Sequence, residues 1–119
     1  MNHLALAVAD QERSRRFYET LFGFDARPAD TYSDGTLMLH NSEGFDLALG
    51  RVDEPIHLPR FFHFGMSVSS PDEVRALHER LVAGGVAIVE EWEEPQYVSV
   101  KCRDPDGYVV EVFWDAQGS

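Results

Sequence analysis

Between positions 2 and 9 the chain alternates, with Leu4, Leu6 and Val8 in one row and His3, Ala5 and Ala7 in the other. A period of two predicts a strand with one buried face. The period then lengthens: Phe17 and Leu21 recur four apart, as the buried stripe of a helix that Asp10 caps and Gly23 ends. Residues 24–32 read as a weak strand, and 36–40 and 45–49 as further strands. Asp34-Gly35 and Asn41-Ser42-Glu43-Gly44 supply the turns.

The pattern then starts again. Residues 61–69 alternate Phe64, Met66 and Val68 with His63, Gly65 and Ser67. Ser70-Pro71-Asp72-Glu73 is a helix start with a capping box and proline in the first turn. Val74, Leu77 and Leu81 make the stripe, and Gly84-Gly85 stops it. Strands are predicted at 86–92, 97–103 and 108–114, the last two joined by the turn Asp104-Pro105-Asp106-Gly107. The order is β-α-β-β-β, twice. A single domain over 1–119 is expected, with module one at about 1–50, a linker at about 51–60 carrying Pro55 and Pro59, and module two at about 61–115.

Charge and composition narrow the partners. The net charge of −11 disfavours nucleic acid and anionic membrane surfaces. No run is long and apolar enough to span a membrane, and the first segment alternates unlike a signal peptide. The single cysteine, Cys102, excludes an internal disulfide and is read as core. A cytoplasmic location is expected.

The candidate chemistry follows from the shared faces. Each histidine-bearing row is otherwise small, which leaves a concave space beside His3 and His63. On the last strand Glu111 and Phe113 face away from Val110, Val112 and Trp114. His3, His63 and Glu111 converging there make an open two-histidine, one-carboxylate site for iron, manganese, zinc, nickel or cobalt. The expected fold class is α+β: two tandem βαβββ modules, their mixed sheets curled around a metal-binding cavity. Aligning Gly107–Glu111 on Gly44–Ala48 puts Ala48 where a symmetric fourth ligand would stand. Asp46 lies two residues away, to line the cavity or meet solvent. A three-residue loop with a glycine bulge would set Lys101 opposite Glu111, to steady that carboxylate, bind a substrate oxygen or form a plain ion pair. Ala5, Ser67, Ser99, Trp92 and Phe113 complete the expected substrate surface. Glu111, Asp46, His57 and Tyr97 are candidate general bases.

These residues resemble the vicinal oxygen chelate superfamily, which holds glyoxalase I, extradiol dioxygenases, fosfomycin-thiol transferases and bleomycin-binding proteins. The marks are Asn2-His3-Leu4-Ala5-Leu6-Ala7-Val8-Ala9-Asp10, Phe17-Tyr18, Leu21-Phe22-Gly23-Phe24, His63, and Asp104-Pro105-Asp106-Gly107-Tyr108 leading into Glu111. The resemblance implies that His3, His63 and Glu111 bind a divalent metal that chelates oxygens of a small organic substrate, for lyase, isomerase or dioxygenase chemistry. It also implies a homodimer. Ala48 departs from glyoxalase I, and Glu90-Glu91-Trp92-Glu93-Glu94 departs from the basic surface of the fosfomycin-thiol transferases. A neutral or cationic substrate is therefore expected rather than a strongly anionic one. The acidic run around Trp92 also suits a non-catalytic antibiotic-resistance protein that sequesters a cationic or aromatic drug; as the edge of a sheet it needs no ligand at all.

Overall fold

The computed structural model describes residues 2–59 and 61–118, so Met1, Ser119 and Arg60, where the expected linker ends, lie outside the described residues. The chain divides into two compact units, Met1–Ile56 and His57–Ser119.

The first unit runs β1 (His3–Val8), α1 (Gln11–Phe22), β2 (Asp30–Thr31), β3 (Leu37–His40) and β4 (Asp46–Arg51). Its sheet has the order β1-β4-β3-β2, with β1 parallel to β4 and the other pairs antiparallel. The second unit runs β5 (His63–Ser67), α2 (Pro71–Ala83), β6 (Ile88–Glu94), β7 (Tyr97–Arg103) and β8 (Val109–Asp115). Its order, β5-β8-β7-β6, repeats the same topology with one parallel pair. The α+β class and the two βαβββ modules are as the alternation predicts.

Local chemistry sets the ends. The Asp10 side chain accepts from the Arg13 backbone, and Gly23 closes α1 at φ 72°, where a side chain would be strained. Ser70 and Glu73 form the reciprocal capping box of α2. The Asn41 carboxamide accepts from the Glu43 and Phe45 amides, and the Asp104 carboxylate accepts from Asp106 and Tyr108 in the same way. The two modules thus share a side-chain-braced turn as well as an element order.

Two expectations are corrected. The strand expected over 24–32 contracts to Asp30–Thr31, with a lone bridge from Asp25 to His40. Pro28 lacks the N–H that a continued ladder needs. On α1 the fully buried residues are Ser14 and Tyr18, while Phe17 and Leu21 are half-buried. The four positions form one i, i+3, i+4, i+7 stripe whose centre falls on Ser14 and Tyr18. Tyr18 packs edge-on to Phe17 and Phe24, with ring centroids 5.0 and 6.1 Å away.

The core of the first unit is Val8, Tyr18, Phe24, Leu39, Leu47 and Leu49. In the second, Val74, Leu77 and Leu81 of α2 are buried along with Val98, Val100, Cys102, Val110 and Val112. Among the described residues no helix is long and apolar enough to cross a membrane.

Two outcomes are expected. Ser70→Ala removes an acceptor for the Glu73 amide and costs about 1 kcal/mol, read from the urea unfolding midpoint. Cys102, whose thiol burial pushes up to about 12, stays inert to a disulfide reagent at neutral pH until the chain is unfolded.

Candidate functional site

Strand register converts the second sheet into a map. One face presents His63, Gly65 and Ser67 from β5; Val109, Glu111 and Phe113 from β8; Tyr97, Ser99 and Lys101 from β7; and Glu90, Trp92 and Glu94 from β6. Ser67, Phe113, Ser99 and Trp92 stand in one row across the four strands, and Gly65, Glu111, Lys101 and Glu90 in the next. The opposite face packs its apolar residues on α2.

Glu111 is buried at 8% exposure, and its two carboxylate oxygens have different surroundings. Oε2 accepts from the Ser99 hydroxyl at 2.6 Å and from the Tyr97 phenol at 2.8 Å. Oε1 lies 3.3 Å from His63 Nε2. The other nitrogen of that ring, Nδ1, is 2.7 Å from the Phe61 carbonyl, which only accepts, so Nδ1 carries the proton. In the neutral ring, Nε2 and Oε1 therefore direct lone pairs at the same space, an arrangement that suits a shared cation. Gly65 faces this carboxylate closely: a methyl placed there would touch Glu111 Cβ at 3.4 Å and Oε1 at 3.5 Å, in ordinary contact.

Burial first, then the bond to Glu111, pushes the Tyr97 phenol up to about 12. Tyr97 stands as a hydrogen-bond donor to Glu111. Its ring stacks on Phe113 with centroids 6.0 Å apart. His57 is exposed in the segment before β5.

Lys101 is directly opposite Glu111, the register a three-residue loop with a glycine bulge requires, and Gly107 stands at φ 93°. Its ammonium nevertheless lies 2.9 Å from Glu90 Oε1. The expectation that Lys101 steadies Glu111 is corrected: Ser99 and Tyr97 do so. The acidic run also divides in two. Glu90, Trp92 and Glu94 share the Glu111 face, while Glu93 pairs with Arg75 and Glu91 with His78 on α2. Two of its five residues thus anchor a helix to an edge strand.

In the first unit the same register sets His3 beside Asp46 and Ala5 beside Ala48, as His63 stands beside Val109 and Gly65 beside Glu111. Ala48 is thus the counterpart of Glu111. His3 and Ala5 are exposed, and Ala48 is buried. Asp46 bonds the buried His40 through Nδ1 at 2.8 Å, while Nε2 of the same ring meets Asp30 at 2.8 Å and Arg27 lies 3.2 Å from Nδ1. Asp46 is therefore tied to His40, a residue that alternation placed in a strand without a polar role. Among the described residues no group of three or more His, Cys, Asp or Glu side chains is arranged to hold a metal ion, and the His40, Asp30 and Asp46 set is closed on itself by hydrogen bonds.

The duplicated βαβββ topology and the paired histidine-bearing strands define a class of two-module α+β proteins. The chain belongs to the Glyoxalase/Bleomycin resistance protein/Dioxygenase superfamily, whose pattern matches residues 1–112. Members of this superfamily commonly bind a divalent metal. It is similar to a trivalent organoarsenical cleaving enzyme of Bacillus sp. strain MD1, 32% identical over 94% of this chain and 71% of that protein. A probable trivalent organoarsenical cleaving enzyme of Bacillus subtilis strain 168 is 31% identical over 98% of this chain and 81% of its own length. Among solved structures, a possible glyoxalase from Bacillus cereus matches at 28% identity with a TM-score of 0.75, covering 94% of this chain and 96% of that one.

The Tyr97 environment is directly measurable. In an absorbance titration the Tyr97 phenol should ionise only at about 12, and Tyr97→Phe should remove that component. Because the folded value lies above the ordinary value of roughly 10, the associated stability is fully present below that pH and is lost as pH rises towards 12.

Proposed function

We propose that this chain is a divalent-metal-dependent enzyme in which His3, His63 and Glu111 hold the metal and a small neutral or cationic organic substrate binds beside it. The observation that carries this reading is the 3.3 Å approach of His63 Nε2 to Glu111 Oε1, with the far side of both groups already hydrogen-bonded. When bound, the metal would act as a Lewis acid on substrate oxygens or activate dioxygen, and imidazole and carboxylate donors suit iron, manganese, zinc, nickel or cobalt. Glu111 and His63 would hold that ion on the face of the second sheet. Ser67, Phe113 and Trp92 line the substrate's resting place on the second sheet. Glu94 and Glu90 favour a neutral or cationic substrate over an anionic one. The names of the two Bacillus relatives support bond cleavage, a lyase-type outcome, as the reaction class.

Cleavage of a trivalent organoarsenical is a second reading, favoured by identities of 32% and 31% to proteins so named. Trivalent arsenic is a soft centre that seeks thiolates. This chain offers one cysteine, buried and held protonated, so such a substrate would have to bind without a protein thiolate. That weighs the first reading towards an oxygen-bearing substrate.

Purified without a tag and loaded with manganese(II), the protein should hold about one ion per ligand set. His63→Ala and Glu111→Gln should each weaken binding by at least the roughly 100-fold that loss of an outer-shell partner can cost. Undiminished binding in both variants would reject the ligand assignment. Mixing His3→Ala chains with Glu111→Gln chains tests where the ligands come from: recovered binding means that a homodimer shares them. Metal-loaded protein given a trivalent aryl arsenical should release inorganic arsenic only under the second reading. Binding of a cationic aromatic drug that persists after chelation, with no product formed, would identify a sequestering protein instead.

A further inference from the structure

The chain has a single lysine, and strand pairing puts it next to the carboxylate read above as a metal ligand. Directly opposed Cβ atoms in an antiparallel pair lie about 4.5–5.5 Å apart. A lysine stem is longer than that, so a free Lys101 ammonium could reach Glu111 Oε1 and stand where a metal would. Instead its Nζ is 2.9 Å from Glu90 Oε1, on the far side of β7.

Glu90 occupies that place through the register of the β6–β7 hairpin, which runs without interruption from Glu94 opposite Tyr97 to Glu90 opposite Lys101. The bulge lies beyond this stretch, between Ile88 and Glu90, where Ile88 pairs with Cys102 and Val89 is the extra residue. The hairpin register thus sets Glu90 on the Glu111 face and in its row. Meanwhile the Ser99 and Tyr97 hydroxyls both donate to Glu111 Oε2, which holds the carboxylate and spreads its charge.

We propose that Glu90, Ser99 and Tyr97 are positioning residues that reserve Glu111 Oε1 for a divalent cation: Ser99 and Tyr97 by occupying Oε2, and Glu90 by holding Lys101 away. None of the three touches the metal. The inference rests on the reading of Glu111 as a ligand, and the two fail differently.

The test is calorimetric titration of the metal-free protein with manganese(II). Glu90→Gln frees Lys101 and should weaken manganese binding about tenfold, the lower end for residues that support a ligand. Lys101→Met alone should bind at least as tightly as the parent chain. The double variant Glu90→Gln/Lys101→Met should regain parental affinity, a rescue that a merely structural role for Glu90 would not produce. Ser99→Ala should also weaken binding. Thermal melting of each metal-free variant checks the fold. Should Ser99→Ala unfold, the Glu90–Lys101 cycle still decides, because Glu90 is on an exposed edge. Parental affinity in Glu90→Gln, or no recovery in the double variant, overturns this proposal alone. No manganese uptake by the parent chain, or full uptake by Glu111→Gln, overturns the Glu111 reading and this proposal with it.

Discussion

A carboxylate enclosed in a β-sheet has to have its lone pairs met, and Glu111 is the point around which the second unit is arranged. Leaving such a group unpaired is costly, far more so when it is charged. The structure meets one oxygen with two hydroxyls from β7 and turns the other towards an imidazole. That division requires two things at once. Ser99 has to be small and polar at a buried position, and His63 has to be held by a carbonyl through its far nitrogen. Each condition is local, and strand pairing brings them together.

The two modules use one plan and spend it differently. Both pair a histidine-bearing strand in parallel with the last strand of the unit, and both brace the turn into that strand with an Asn or Asp side chain. In the second unit the position facing the small residue of the histidine strand is Glu111; in the first it is Ala48. The first unit places its polar cluster elsewhere, with His40 joining Asp30 of β2 to Asp46 of β4. This tie bridges a two-residue edge strand that has little ladder of its own. The same backbone thus presents an open carboxylate in one copy and a closed hydrogen-bonded set in the other.

The acidic segment shows how a charge run resolves once it becomes a strand. Five adjacent residues read as one negative patch in sequence, but alternation sends Glu91 and Glu93 to α2, and Glu90, Trp92 and Glu94 to the Glu111 face. The register of the β6–β7 hairpin, unbroken from Glu94 opposite Tyr97 to Glu90 opposite Lys101, decides which residues go where. A one-residue change in register exchanges the two faces, so the electrostatic character of the candidate site depends on that register more than on the number of carboxylates.

Alternation, helical spacing and turn residues were enough to determine the order of elements, the α+β class, the duplication and which row of each strand is apolar. They act between near neighbours, so a linear reading reaches them. The equivalence of Ala48 with Glu111 and the pairing of Lys101 with Glu111 were also legible, because loop length and the turn glycine specify register across a short hairpin. Only the tertiary structure decided which groups Glu111 and Lys101 actually meet. Tyr97 and Ser99 reach Glu111 diagonally, Glu90 reaches Lys101 from the edge strand, and His40 reaches Asp30 and Asp46 across three strands. These partners are chosen by side-chain direction and by competition between charges, which composition and periodicity do not encode.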